Sequence, residues 1–372
     1  MPSYYINPVV RYGEKYAEFA HSFRHIAFEI DKNPQAIVNH MHLSAVDFIL
    51  SDRTSTAFQR TQYLEAFGYG DAGVLLACPG PSLSGLMMRE LGLPEQIDAF
   101  YSILQERKMR TFFALTEPEK GSDANHIQTK LVKSSHHEKC YLLSGVKCFF
   151  GNGAVGEMGI VLARMSNSPV GIRAVWLTPE IMKQSSIQRE TLKQFSLRGA
   201  QISSMILAET IIPESHILGN HLSACENGLL SIVKVFNRLR TGVGALAIGQ
   251  AQAVYDDVFG IFSKKMFAHQ SVFLDMNIAL NSARALLHQA AICVDQNPYA
   301  SEAVSLAKLN ATRVAESVIT QCIDLCSLDD LLSNPWLLKA YRDMFCWEYM
   351  EGTSAVQKKQ IAIKKQIQSI GE

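Results

Sequence analysis

Two hydroxyls, a proline and a glycine lie close together in Leu115-Thr116-Glu117-Pro118-Glu119-Lys120-Gly121-Ser122-Asp123, and an apolar run from Phe112 leads into them. Pro118 fixes one backbone angle, lacks a donor and pushes Glu117 into an extended conformation. Gly121 lets the backbone come close to another body. Thr116 and Ser122 then offer hydroxyls beside free backbone N–H groups, the equipment for holding an uncharged heterocycle and a phosphate. The same stretch also reads as a strand ending in a polar turn, and composition alone favours that plainer reading.

Other groups with chemical potential are weaker. Gly68-Tyr-Gly70-Asp-Ala-Gly73 spells G-x-G-x-x-G, yet an amphipathic helix precedes it where a dinucleotide loop needs a strand, so it reads as a helix break. His40 and His42 can ligate a metal only with partners the sequence does not reveal. His136-His137 sits in a polar turn and reads as solvated. Eight cysteines without C-x-x-C spacing suit a reduced cytoplasm better than disulfides or zinc.

The elements that must position these residues follow from composition and periodicity. At 372 residues, 48% hydrophobic and 19% charged, the chain can bury a large core in two or three domains. Its zero net charge points to no nucleic-acid or membrane-surface partner. No apolar run reaches the length of a membrane span, and Met1-Pro-Ser-Tyr-Tyr does not resemble a signal peptide. Residues 1–110 read as helical, with amphipathic stretches at Tyr12–Ile30, Thr54–Phe67 and Pro94–Met109. Residues 111–215 change texture to short runs rich in β-branched, aromatic and aliphatic residues: Thr111–Leu115, Cys140–Ser144, Lys147–Phe150, Met158–Ala163, Ile172–Leu177 and Ser204–Ile212. Gly, Asn, Ser and Pro turns separate them, the pattern of a small antiparallel sheet. Helical texture returns over 216–372, at Leu222–Phe236, Leu239–Phe262, His269–Asp295, Ser301–Cys326 and Trp336–Met350.

Helices, then strands, then a four-helix-like block resembles the α+β layout of the acyl-CoA dehydrogenase family, and five segments carry the resemblance. They are Leu115–Asp123; Gly145-Val-Lys-Cys-Phe-Phe-Gly-Asn-Gly153; Phe195-Ser-Leu-Arg-Gly199 with Ile212-Pro213 and Leu218-Gly219; Arg240–Gly249; and Tyr341-Arg-Asp343 followed by Glu351-Gly-Thr353. The resemblance implies an FAD-dependent enzyme that takes a hydrogen pair from an acyl thioester on CoA or on a carrier protein. A base removes the α proton while the β hydrogen leaves as hydride. Glu351 matches the family's C-terminal base, and Phe236-Asn237-Arg238-Leu239, before Arg240, holds no alternative acid. The resemblance further implies that Phe113, Leu115, Thr116, Phe149, Gly151 and Thr353 meet the flavin and that Ser122 reaches its diphosphate. Ser122, Arg240 and Gly352 would also face the substrate, with the N–H of Glu351 and a cofactor hydroxyl polarising the thioester carbonyl. A cytoplasmic homodimer or homotetramer is implied, and the electron acceptor is left open.

Three departures from the family pattern stand out. Gly151 replaces a hydroxyl residue. No arginine lies between Arg240 and Arg284 to reach a diphosphate across a dimer, leaving Lys264 and Lys265 as point charges. Cys326-Ser-Leu-Asp-Asp330 replaces an expected glycine pair with acids that would repel a phosphate. These suit a specialised member, acting on a carrier-bound acyl group in secondary metabolism. The alternative is a protein of the same fold with an eroded flavin site, binding a thioester or a partner without redox turnover.

Overall fold

The computed structural model describes residues 6–119, 126–223, 226–262 and 270–371. Six helices come first: α1 (Pro8–Tyr12), α2 (Glu14–Lys32), α3 (Ser44–Ser51), α4 (Ala57–Ala77), α5 (Ser82–Leu91) and α6 (Pro94–Arg107). Seven strands follow: β1 (Thr111–Ala114), β2 (Lys130–Lys133), β3 (Cys140–Phe150), β4 (Met158–Arg164), β5 (Ile172–Leu177), β6 (Ile187–Thr191) and β7 (Ser203–Pro213). The chain then returns to helix as α7 (Leu229–Phe262), α8 (Gln270–Gln296), α9 (Ser301–Leu325), α10 (Leu328–Ser333), α11 (Trp336–Asp343) and α12 (Ser354–Gly371). The α+β class expected from the sequence is the one observed.

The strands form one sheet. β3 and β7 pair antiparallel along most of their length, β6 pairs with β7 and β2 with β3. The sheet is not antiparallel throughout: β4 pairs antiparallel with β5 but parallel with β1. Cys140–Ser144 and Lys147–Phe150, expected as separate strands, are one strand whose register against β7 slips twice, the second time between Cys148 and Phe150. β1 is pinned onto the helical layer, because Thr111 Oγ1 donates to the carbonyl of Gly80 at 2.6 Å and Ser84 Oγ donates to that of Phe112 at 2.5 Å.

The G-x-G-x-x-G stretch is no loop. It lies inside α4, and its first two glycines let other helices come within backbone contact. A Cβ on Gly68 would stand 2.3 Å from the Leu246 carbonyl oxygen of α7, and one on Gly70 would stand 2.5 Å from that of Ala20 in α2. The expected break is reduced to a kink at Asp71 (φ −165°, ψ 115°). Its carboxylate restarts the helix by accepting from Val74 N, and it also accepts from Lys339 Nζ at 2.7 Å and Trp336 Nε1 at 3.0 Å. One large apolar core joins α2, α4, α5, α7, α8 and α9 to β4 and β5, while a second lies across the sheet from Phe112 to Met205 and Ile212. Burial of this kind, at about 25 cal/mol per Å² of apolar surface, is the dominant stabilising term.

Candidate active site

Where β1 runs out, the chain is held by a buried carboxylate. Glu117 Oε1 accepts from Lys147 Nζ at 2.8 Å, Thr129 Oγ1 at 2.6 Å and Thr129 N at 2.9 Å, and Oε2 accepts from Gln128 N at 2.5 Å. These bonds tie the two ends of the 118–127 stretch together. Lys147, 0% exposed on β3, donates as well to the Leu115 carbonyl at 3.0 Å. Cys148 N donates to the Thr116 carbonyl, also at 3.0 Å. Burial pushes the Glu117 carboxyl up, but the hydrogen bonds and charge of Lys147 outweigh it and hold the group below the usual carboxylate range. Burial pulls Lys147 down to about 8 against the pull of Glu117.

The neighbouring residue on β3 points away from this clamp. Phe149 has φ +56° at the register slip, and the residue is 64% exposed. A left-handed backbone in a bulky aromatic costs on the order of 1 kcal/mol. After it, Gly151 and Asn152 turn the chain. Asn152 N donates to the Ala200 carbonyl at 2.8 Å and its Nδ2 to that of Leu76 at 3.1 Å, fixing the turn against α4.

A second carboxylate lies at the far end of the chain. Glu351 and Gly352 form a left-handed pair, φ +54° and +98°, between the 3₁₀ turn Met344–Glu348 and α12. Their carbonyls are anchored. Arg240 Nε donates to the Glu351 carbonyl at 2.9 Å, Gln357 Nε2 to the same oxygen at 3.1 Å, and Lys308 Nζ to the Gly352 carbonyl at 2.9 Å. The carboxylate is treated differently: among the described residues its enclosed Oε2 has no hydrogen-bond partner. Burial pushes the group up to about 7, and the positive charges of Arg240 and Lys308 offset only part of that rise. A carboxylate near 7 with uncommitted lone pairs is equipped to take a proton at neutral pH.

The two sides are linked through aromatic packing. Phe113 on β1 meets Phe236 on α7 edge-on at 5.9 Å between centroids, and the Arg240 guanidinium stands 5.6 Å from the centre of the Phe236 ring. Phe113, Arg240, Glu351 and Gly352 are thereby connected, as are Leu115, Thr116 and the strand that carries Phe149 and leads into Gly151. Thr353 lies two residues after Glu351, just ahead of α12, and accepts from Val356 N through its hydroxyl at 3.4 Å. Arg240, expected to face substrate, spends its Nε on the Glu351 carbonyl and NH1 on Gln360 Oε1 at 2.9 Å. Ser122, Lys264 and Lys265 lie outside the described residues. Arg284 turns inward to Glu65 at 2.8 Å and Gln252 at 2.9 Å. Asp330 caps α10 by accepting from Ser327. His136 and His137 are exposed, as expected, and the described residues contain no cluster of three or more metal-ligating acids, histidines or cysteines.

The sequence reasoning passed over Lys147, Lys308 and Gln357. For Lys308 a signal existed: it follows Val304 by four residues and precedes Ala311 and Ala315 on the apolar face of α9, where a solvated lysine has no place.

Comparison with known proteins finds one family over most of the chain. The family described as "Acyl-CoA dehydrogenase, middle domain" matches residues 112–210, and "Acyl-CoA dehydrogenase, C-terminal domain" matches residues 226–365. Cyclohexane-1-carbonyl-CoA dehydrogenase of Geobacter metallireducens is 27% identical over 283 residues, 73% of this chain and 72% of that protein. Among solved structures, butyryl-CoA dehydrogenase from Megasphaera elsdenii superposes with a TM-score of 0.78 at 22% identity, covering 95% of this chain and 97% of the other. A prolyl acyl-carrier-protein oxidase reaches 0.79 at 18% identity, covering 94% and 98%.

Proposed function

From the premise that this chain belongs to the acyl-CoA dehydrogenase family, FAD-dependent oxidoreductases acting on CH–CH bonds, we propose that it takes the α and β hydrogens from an acyl thioester with Glu351 as the base. The observation that carries this reading is the enclosed, unpartnered Oε2 of Glu351, on a carboxyl raised to about 7. An α proton flanked by a thioester needs a base of that strength, placed where water does not compete for its lone pairs.

The described residues fit the ring side of the family's cofactor. Phe149 presents an open aromatic face on a strand tied to Leu115 and Thr116, whose backbone positions are set by Lys147 and Cys148. Phe113, Leu115, Thr116, Phe149, Gly151 and Thr353 would hold the flavin ring of FAD, which when bound would supply the hydride acceptor. The protein's own part is positional and electrostatic. Arg240 and Gln357 hold the Glu351 backbone through its carbonyl and so fix the turn that carries its carboxylate, and the Glu351 N–H polarises the thioester carbonyl as the α proton leaves. The reacting atoms are identical on CoA and on a carrier-protein phosphopantetheine arm, so the proposal covers both handles. The fold neighbour whose substrate is a prolyl carrier protein supports testing the second.

The handle is tested by offering one short acyl group both as its CoA ester and loaded on a carrier protein, and following flavin reduction without oxygen. Faster reduction by the loaded carrier is the expected outcome for a member with the departures seen here. Equal or faster reduction by the CoA ester assigns this chain to acyl-CoA chemistry instead.

A further inference from the structure

The turn that carries Glu351 is gripped from a helix otherwise given to core packing. Lys308 stands in the middle of α9, 0% exposed, and its Nζ reaches out of the apolar face to two main-chain oxygens. One is the Gly352 carbonyl at 2.9 Å and the other the Glu348 carbonyl at 3.3 Å. Those oxygens bracket Glu351 on either side. Gln357 shares the Gly352 oxygen at 3.0 Å, and Thr312, one turn along α9, donates to the Lys308 carbonyl at 3.1 Å. An ammonium in the core is costly to desolvate, and a methionine would fill the same space without that cost.

We propose that Lys308 is a positioning residue for the base: it holds the 348–352 turn in its left-handed form, and its charge sets the pH range in which the Glu351 carboxylate accepts a proton. This rests on the reading of Glu351 as the base. Among the described residues, the charges that act on Glu351 come from α7 and α9. From α7 comes Arg240, bound to the Glu351 carbonyl. From α9 comes Lys308, and α12 contributes the uncharged Gln357 and Gln360. The turn's own Glu348 is engaged by Ser354, through N at 2.7 Å and Oγ at 2.5 Å. Two cations therefore act on Glu351, and Arg240 is itself bonded to Asn237 and Gln360. A nearby positive charge favours the carboxylate, so Lys308 lowers the pH at which the base becomes active, in opposition to burial.

The test compares Lys308→Met, which removes charge and donors at similar length, with Lys308→Arg, which keeps the charge. Flavin reduction in a single anaerobic turnover is measured across pH, and the infrared carboxyl band of Glu351 is titrated in the same purified proteins, assigned by its loss in Glu351→Gln. In Lys308→Met the acid limb of the rate profile and the band's midpoint should both move up by about one pH unit, and the rate at neutral pH should fall about fivefold. Lys308→Arg should leave the midpoint within a few tenths of a unit while slowing the reaction. If Lys308→Met fails to fold, Lys308→Gln carries the same comparison, since its amide still donates to a carbonyl. An unshifted band midpoint in a folded, uncharged variant overturns the proposal. If instead Glu351→Gln reduces flavin normally, the base assignment fails, while the band midpoint still decides whether Lys308 controls the carboxylate.

Discussion

Glu117 and Glu351 are two enclosed carboxylates, each close to a fully buried lysine that also donates to main-chain carbonyls. Lys147 reaches the Leu115 carbonyl, and Lys308 reaches those of Glu348 and Gly352. Yet Glu117 is held below the usual carboxylate range and Glu351 is raised to about 7. The difference lies in what the oxygens do. Glu117 accepts four hydrogen bonds, one of them from Lys147 itself, and these stabilise its charge. Around Glu351 the donors go to backbone carbonyls instead, and among the described residues Oε2 is left without a partner. Burial alone does not make a base. Burial with the lone pairs left free does, whereas the same burial with saturated oxygens makes a strut.

The largest effect expected from this contrast is kinetic. Glu351→Gln is nearly isosteric but cannot accept the α proton, so anaerobic flavin reduction should slow by roughly 10²–10⁴-fold. Glu117→Gln, refolded with FAD, should reduce its flavin within about tenfold of the parent, because Glu117 only shapes the loop. If the two amide variants lose rate equally, the division into base and strut does not hold. A Glu351→Gln variant within a few-fold of the parent removes Glu351 from the chemistry altogether.

Stability should show the reverse order, with a somewhat smaller effect. Glu117→Gln leaves the Lys147 ammonium enclosed without its counter-charge, and breaking a buried pair in this way costs about 3–5 kcal/mol. Chemical denaturation should therefore show a much lower midpoint for Glu117→Gln than for Glu351→Gln. A double variant, Glu117→Gln with Lys147→Met, should recover part of the loss, since no uncompensated charge remains. No recovery would mean that the bonds to Gln128 and Thr129, rather than the ion pair, hold the loop.

The same contrast explains what was legible in the sequence. The Thr-Glu-Pro and Glu-Gly-Thr segments are readable because the chemistry leaves little choice of residue there. The lysines behind them were not read, because a lone lysine among apolar residues of a helix or strand is usually assigned to solvent. The register slip that aims Phe149 outward depends on pairing with β7, which no local pattern encodes. β6 was missed because four of its five residues are exposed and show no alternation. The glycines of α4 read as a helix break, which is realised only as the kink at Asp71, while Gly68 and Gly70 serve close approach to Leu246 and Ala20. The framework was thus visible wherever local periodicity decides. Long-range pairing, such as that of Lys308 with a turn more than forty residues later, left only the faint mark of a polar residue on an apolar face.

The smallest effect is also the most specific to the comparison. Glu351 titrates from an ordinary 4.5 in the unfolded chain to about 7 in the folded one. The folded state then holds the proton more tightly, so stability falls as pH rises between those values and stays reduced above the upper one. At about 1.4 kcal/mol per unit the shift sets an upper figure of about 3 kcal/mol, which partial solvent access to the residue reduces to about 1–2 kcal/mol. Glu351→Gln has no proton to lose and should escape this decline, gaining stability over the parent between about pH 5 and pH 8. Glu117 has the opposite sign. Its lowered value contributes stability above the unfolded value that disappears as pH falls through the folded one, so Glu117→Gln should approach the parent in acid and diverge from it toward neutrality. Denaturation midpoints across that range, at one fixed FAD concentration, read both slopes. Parallel curves for Glu351→Gln and the parent would show that the Glu351 carboxylate is hydrated after all, and that its freedom from hydrogen bonds leaves it no stronger a base than a carboxylate at the surface.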